Sequence, residues 1–233
     1  MSTDQSVILF NKNWQLYKKV IDANYMHHAL FHRLIGEALR QMGKRGSLRF
    51  LDLGCGDASQ LIDHLQELDV DTYVGYDLSH TALALAKVNL SFMVGKTRFV
   101  EGRMEELLAE DENMYDIIHT SYAVHHLDDD MKAAMIRMAS ERLSPGGLFI
   151  YVDVFRKDGM DRDEYINRYC DHMDMQWHLL SVDERQSIRD HATQFDFPST
   201  VGLILAHARS SGLENMAMHT NDETHFFLCF KKG

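Results

Sequence analysis

A chain of 233 residues with 45% hydrophobic and 25% charged side chains is long enough for one well-cored domain and cramped for two. Its formal charge of −11 argues against the broad basic face that nucleic-acid binding needs, and no apolar run approaches the roughly 18 residues of a membrane span. Cys55, Cys170 and Cys229 are odd in number and far apart, so neither a disulfide framework nor a CxxC metal site is suggested.

In chain order, a helical segment at about 11–42 comes first, with Trp14, Tyr17, Ile21 and Tyr25 at helical spacing. The opening MSTDQS has no basic-then-apolar signal pattern, so a cytoplasmic protein is expected, without membrane or nucleic-acid partners and as a monomer or homodimer. LRFLDLG (48–54) reads as a strand ending on glycine, and Asp57 is placed to cap a helix whose Leu61, Ile62, Leu65 and Leu68 share a face. TYVGYDL (72–78) is a second strand, followed by a helix capped by Ser79 that carries Leu83, Ala86 and Leu90. TRFVEG (97–102) is a third, with a short helix near 104–109, and YDIIHTSY (115–122) is a fourth. A helix at about 129–143 aligns Met131, Met135, Met138 and Ala139 and stops at SPGG, and GLFIYVDVF (147–155) is a fifth strand. Apolar strands joined by helices mean a parallel sheet covered on both faces.

After residue 155 the pattern breaks. Residues 156–196 are polar, aromatic and helical in character; a helix at about 199–211 follows, then LENMAMHT and THFFLCFKK, two strands close enough to pair as a hairpin. Fourteen histidines include the pairs 27–28 and 125–126. Neighbours on a chain rarely point at one ion, so packed or surface imidazoles are expected and no metal.

FLDLGCGDAS (50–59) carries the ligand question, because a strand-end glycine turn suits a dinucleotide, a nucleoside triphosphate or a sulfonium nucleoside. The GxxxxGK[ST] of a phosphate loop is absent, and Ser59 stands where a dinucleotide fingerprint has its third glycine. A diphosphate favours a helix N-terminus, but Asp52 and Asp57 would repel it. S-adenosylmethionine brings an amino group, a carboxylate and a positive sulfur instead. Asp52 can face that amino group, glycine N–H groups can take the carboxylate, and Asp77 can accept both ribose hydroxyls.

FLDLGCGDAS, GYDLS, YDIIHTSYAVHHL and LSPGGLFIYVDVF, in that order and spacing, resemble the class I S-adenosylmethionine-dependent methyltransferases over roughly residues 48–155. The resemblance implies a Rossmann-like α/β fold, with a seven-stranded mostly parallel sheet and a C-terminal antiparallel hairpin. It implies one domain over 1–233: a helical lid at 11–42, a cofactor-binding core at 48–155, a helical substrate cap at 156–196, and a final helix and hairpin at 197–233. It implies S-adenosyl-L-methionine as cofactor and S-adenosyl-L-homocysteine as product. Asp52, Gly54, Cys55 and Gly56 would surround the methionine moiety, with Asp77 and Leu78 at the ribose and adenine. Met104 would flank the adenine, and Thr120 and Ser121 would lie beside the transferring methyl. Where the family often has an Asp accepting from the adenine amino group, this chain has Arg103, so either Glu101 or Glu105 substitutes or apolar and backbone contacts hold the ring.

For the acceptor, the fourth strand is followed by TSYA rather than the [ND]PP[YF] of relatives that methylate base amines, and no Pro-Cys pair offers a cytosine-C5 nucleophile. An O or N atom of a small-molecule acceptor leads. A methyltransferase acting on tRNA or protein and a cofactor-binding regulatory domain without turnover are the alternatives. Tyr17, Tyr25, Tyr165, Arg168, Tyr169 and Trp177 are candidates to contact the acceptor, joined by Asp153 at the end of the fifth strand. His126, His125 and His28 are the candidate bases or positioning groups.

Overall fold

In the computed structural model residues 15–42 and 46–233 are described; Trp14 and the start of the expected N-terminal helix lie outside them. That segment is two helices, α1 (15–22) and α2 (His28–Met42), separated by a turn. Asn24 and His27 take left-handed backbone there, at φ 56° and 58°, and Asn24 Oδ1 accepts from Ala29 N at 2.8 Å. A side chain that bonds the backbone locally breaks the helix at that point.

The sheet has seven strands: β1 (Leu48–Leu53), β2 (Val70–Asp77), β3 (Thr97–Glu101), β4 (Tyr115–Ser121), β5 (Leu143–Val154), β6 (Leu213–Thr220) and β7 (His225–Lys232). Their order is β3-β2-β1-β4-β5-β7-β6. The first five are parallel, and β7 runs antiparallel to both β5 and β6. The crossovers carry α3 (Ile62–Glu67), α4 (His80–Asn89), α5 (Met104–Glu110) and α6 (Asp129–Arg142). Between β5 and β6 come α7 (Arg162–Gln176), α8 (Val182–Phe195) and α9 (Val201–Ser210).

The two-residue period of a strand divides the core. Phe50, Ile117, Ile150 and Val152 pack with Phe31 and Leu34 of α2 and with Ile166 and Met173 of α7. Their neighbours Leu51, Ile118, Phe149 and Tyr151 pack with Met135 and Ile136 of α6 and Ile204 of α9. Each such side chain, fully buried, contributes about 1.5–3 kcal/mol of transfer free energy. Among the described residues no helix is long and apolar enough to cross a membrane.

Two local expectations are corrected. Asp57 does not cap a helix: its Oδ1 accepts from Ser59 N at 3.0 Å, and a 3-10 turn over Ser59–Leu61 precedes α3. β5 begins at Leu143 rather than after SPGG, because Tyr115 pairs with Leu143 and Ile117 with Leu148, so that residues 144–147 stand against Asp116 alone. The proline and glycines therefore form an irregular strand entry rather than a stop. α7 and α8 are separately nucleated: Asp161 caps the first, and Ser181 with Glu184 makes a reciprocal capping box on the second.

Candidate active site

The site grows from the carboxyl end of β1. Gly54 sits at φ +70°, and a Cβ there would stand 2.4 Å from the Ala123 side chain, so glycine lets the loop after β4 close against this turn. Its N–H groups are already used. Gly54 N and Cys55 N both donate to Tyr76 O, at 2.8 and 3.0 Å, and Gly56 N donates to Asp77 Oδ2 at 2.8 Å. The expectation that glycine N–H groups receive a ligand carboxylate is thus corrected: they fix the turn to β2.

Asp77 joins that turn to α4, since its other oxygen accepts from Ser79 N at 2.8 Å. Each oxygen keeps acceptor capacity for a ligand hydroxyl. Burial raises the Asp77 carboxyl above its ordinary value, against the lowering effect of the Ser79 and Gly56 N–H groups. Asp52 is held by two buried donors, Tyr73 Oη at 2.6 Å from Oδ2 and His119 Nδ1 at 2.7 Å from Oδ1.

Asp52, Gly54, Cys55, Gly56, Asp77, Leu78, Met104 and Ser121 all line one cavity of about 410 Å³, and His28 and His126 line it too. Thr120 does not: it is fully buried, and its hydroxyl has no hydrogen-bond partner among the described residues. Strand alternation turns it away from Ser121, which does reach the cavity. Cys55 is a buried thiol whose pKa burial pushes up, with Asp52 and Asp77 adding to the effect, so it stays protonated.

The charges of this cavity test the ligand reading. Asp52, Asp57, Asp77 and Glu105 line it, with Arg103 as the one Lys or Arg among the described lining residues. Arg103 is neutralised by Glu105, 2.6 Å away. A cationic amino-acid tail and a ribose fit these donors and acceptors; a diphosphate does not. Of the two acids weighed against Arg103, Glu105 lines the cavity, while Glu101 pairs with exposed His80 at 3.0 Å.

A second chamber, of about 140 Å³, adjoins the first and is mainly apolar. Tyr17, Tyr165, Tyr169, Trp177 and His125 line it, with Ile166, Ile188 and Ala192 from α7 and α8. Tyr17, Tyr122, His126 and His191 line both spaces and so mark where they meet. Three expected contacts fall elsewhere. Tyr25 stacks on Trp177 at 4.8 Å and accepts from Leu179 N at 2.8 Å, backing the wall rather than facing the chamber. Arg168 lies on the solvent side of α7, 65% exposed and paired with Glu164. Asp153 is fully buried beneath the chamber, where its carboxylate accepts from His125 N at 2.9 Å and Val154 N at 2.8 Å and meets His125 Nδ1 at 2.6 Å.

Sequence reasoning did not single out Tyr122, His191, Asp196 or His119. Tyr122 carried one available signal, its place directly after the fourth strand. It adopts φ 54°, and its hydroxyl donates to Met26 O, linking the strand end to the turn between α1 and α2. His191 and Asp196 lie in the 156–196 segment, whose local sequence does not say which side chains turn inward. Asp196 Oδ1 sits among His126, His125 and His191. Burial opposes its ionisation, but the imidazoles of His125 and His126 outweigh that and hold it well below the usual carboxylate range. Burial also opposes charge on His125, yet Asp153 and Asp196 raise its pKa above the ordinary value. By contrast, burial lowers His191 to about 4 and His28 to about 3.

A family model described as "Methyltransferase domain" matches residues 25–199. An uncharacterized methyltransferase of Synechocystis sp. (strain ATCC 27184 / PCC 6803 / Kazusa) is 30% identical over 143 residues, covering 61% of this chain and 63% of that protein. A ubiquinone biosynthesis O-methyltransferase of Nitrosospira multiformis is 28% identical over 106 residues, covering 46% and 43%. The chain thus spans less than two thirds of the length of these curated relatives. Among solved structures, the magnesium protoporphyrin IX methyltransferase of Synechocystis PCC 6803 with bound SAH has a similar fold, with a TM-score of 0.69, 14% identity and 99% of each chain covered. The family match, extending over well more than half of the chain, and a cavity suited to a sulfonium nucleoside lead to one conclusion: the chain belongs to the class I methyltransferases, whose cofactor is S-adenosyl-L-methionine.

Proposed function

We propose that this protein transfers the methyl group of S-adenosyl-L-methionine to an O or N atom of a small, largely apolar acceptor. One observation carries this reading: the donor cavity and an aromatic-lined chamber meet at Tyr17, Tyr122, His126 and His191. When bound, the cofactor supplies a methyl carbon activated by its sulfonium. The chain's residues have to hold both partners in line and exclude water, which can be worth about 7–11 kcal/mol.

Asp77 accepts from the two ribose hydroxyls, Asp52 faces the ammonium, and Glu105 accepts from the adenine amino group in place of the missing Asp. Tyr165, Tyr169 and Trp177 enclose an acceptor with a ring, such as a phenol, an amine or a heterocycle. His126 stands at the junction and positions the nucleophilic atom. The small chamber under α7 and α8 and the net charge of −11 favour a small molecule over a tRNA.

The test is a calorimetric titration with S-adenosylhomocysteine, followed by a methyl-transfer screen over amines, phenols and heterocycles. Micromolar binding and one methylated class are expected. Tight NAD or ATP binding with no hold on S-adenosylhomocysteine would overturn the donor assignment. Donor binding with no acceptor in the whole panel would favour a binding domain.

A further inference from the structure

Where the two spaces meet, three histidine nitrogens surround one carboxylate oxygen. Asp196 Oδ1 lies 3.2 Å from His126 Nδ1, 3.7 Å from His125 Nε2 and 3.7 Å from His191 Nε2. A separation of 3.7 Å is too long for a hydrogen bond and leaves no room for a water between the atoms. The His126 contact, at 3.2 Å, is a hydrogen-bond distance, and His126 Nδ1 also lies 3.3 Å from Phe195 O; the 3.7 Å between Asp196 and His125 suits two donors of one coordination sphere. Atoms about 2.0–2.1 Å from a shared zinc-class cation lie about 3.3 Å apart at the tetrahedral angle and no more than about 4.1 Å apart. The donor atoms of His125, His126 and Asp196 all lie within 4.8 Å of one another, so small side-chain rotations close the set.

The surroundings are built for the same purpose. His125 Nδ1 faces buried Asp153 at 2.6 Å, which leaves Nε2 to face Asp196. Metal-bound histidines nearly always give their far nitrogen to a carboxylate, a backbone carbonyl or water, which fixes the ring's tautomer and orientation, and Asp153 fills that place here. Asp196 is fixed through the backbone: Arg162 Nε donates to its carbonyl at 2.6 Å, and the next residue, Phe197, donates its N–H to His125 O at 2.7 Å. The short 3-10 turn over Val124–His126 brings the adjacent histidine rings to centroids 4.0 Å apart, and both rings face the same Asp196 oxygen. The other histidine–carboxylate group is hydrogen-bonded at both of its contacts. Asp222 Oδ2 lies 2.7 Å from His27 Nε2 and 2.8 Å from His225 Nδ1, distances at which a proton already joins each pair.

We propose that His125 Nε2, His126 Nδ1 and Asp196 Oδ1 bind one divalent cation of the zinc class, the metals that imidazole-rich sites prefer, with an open position toward the acceptor chamber. This goes beyond the methyl-transfer reading, because it concerns a cation whose binding is measurable whether or not any acceptor is methylated. Its chemical use in the same site is to hold an acceptor hydroxyl and lower its pKa, so that the proton passes to water and the oxygen takes the methyl as the sulfonium's S–C bond breaks to leave the thioether. His126 is then a ligand and positioning residue. His191, outside the three atoms that close on one another, flanks the open position.

The experiment strips the 233-residue chain with a chelator, desalts it and titrates it with Zn²⁺ by calorimetry, in parallel with S-adenosylhomocysteine. One equivalent of Zn²⁺ is expected. His126→Ala and Asp196→Asn each weaken it at least about 100-fold, and Asp222→Asn leaves it within twofold. Asp196→Asn and Asp222→Asn keep S-adenosylhomocysteine affinity within threefold, which shows that the fold and the donor cavity are intact. Zn²⁺ uptake that survives both His126→Ala and Asp196→Asn, that is lost only in Asp222→Asn, or that is absent from the parent protein overturns the proposal. Zn²⁺ binding without S-adenosylhomocysteine binding would instead overturn the donor assignment and leave the cation site standing.

Discussion

The donor cavity and the acceptor chamber are built from different materials. The first is a sheet feature: strand ends, a left-handed glycine, Asp77 fixed by backbone N–H groups and Asp52 fixed by buried strand side chains. The second is a helix feature, enclosed by aromatic and aliphatic side chains from α1, α7 and α8 and floored by a histidine cluster. Backbone-anchored parts recognise an invariant cofactor, and side-chain walls can change to suit an acceptor without disturbing them.

If that division holds, substitutions should separate cleanly. The largest effect is expected for Asp77→Ala, which on the proposed assignment leaves two ribose hydroxyls without acceptors. S-adenosylhomocysteine affinity should fall about 10³-fold at roughly 1.5–3 kcal/mol per charged hydrogen bond, as read by calorimetry. Unchanged affinity would remove the ribose assignment. Next, His126→Ala should lower kcat about 100-fold, a loss typical of a group acting on the proton or position of the nucleophile, with donor affinity unchanged in the same titration. The reverse pattern would place His126 in the donor half.

A smaller effect concerns stability. His28 is held neutral near pKa 3 mainly by burial, with His225 and His27 adding to the lowering. Its folded pKa lies below the unfolded value, so its contribution is complete above about pH 6.5 and is lost as the pH falls toward the folded value. At pH 5 that loss is about 2 kcal/mol. His28→Phe should therefore shrink the difference in thermal unfolding midpoint between pH 7 and pH 5, and an equal difference in both proteins would place the acid sensitivity elsewhere. The smallest effect is expected for Ala192→Leu, which extends a buried side chain into the acceptor chamber. It should raise the acceptor's KM at least about tenfold, since three added carbons take up pocket space where even one methylene is worth about that much, and leave the S-adenosylhomocysteine Kd alone.

The same contrast explains what could be read from the chain. The donor cavity was legible because its residues cluster in short segments at strand ends, 52–56, 77–78 and 104, where topology alone brings them together. What those segments hid was hydrogen-bond allocation: no pattern reveals that Gly54 and Cys55 donate to Tyr76 rather than to a ligand. The acceptor chamber was only half legible. Tyr165, Tyr169 and Trp177 stood out as aromatics, but Arg168 shares the helix of the two tyrosines and faces solvent, and helical phase in an irregular insertion is set by tertiary packing. Asp196 was unreadable because its position depends on Arg162 and on the His125 carbonyl, both far away in sequence.

Helix α1 belongs to both halves. Leu16 and Val20, one turn apart, face the acceptor chamber, Ile21 faces the donor cavity, and Tyr17 borders both. Such a shared partition would couple traffic: a displacement of it that opens one compartment opens the other too. Steady-state kinetics with both substrates varied should then show an ordered rather than a random scheme, with the demethylated nucleoside departing last.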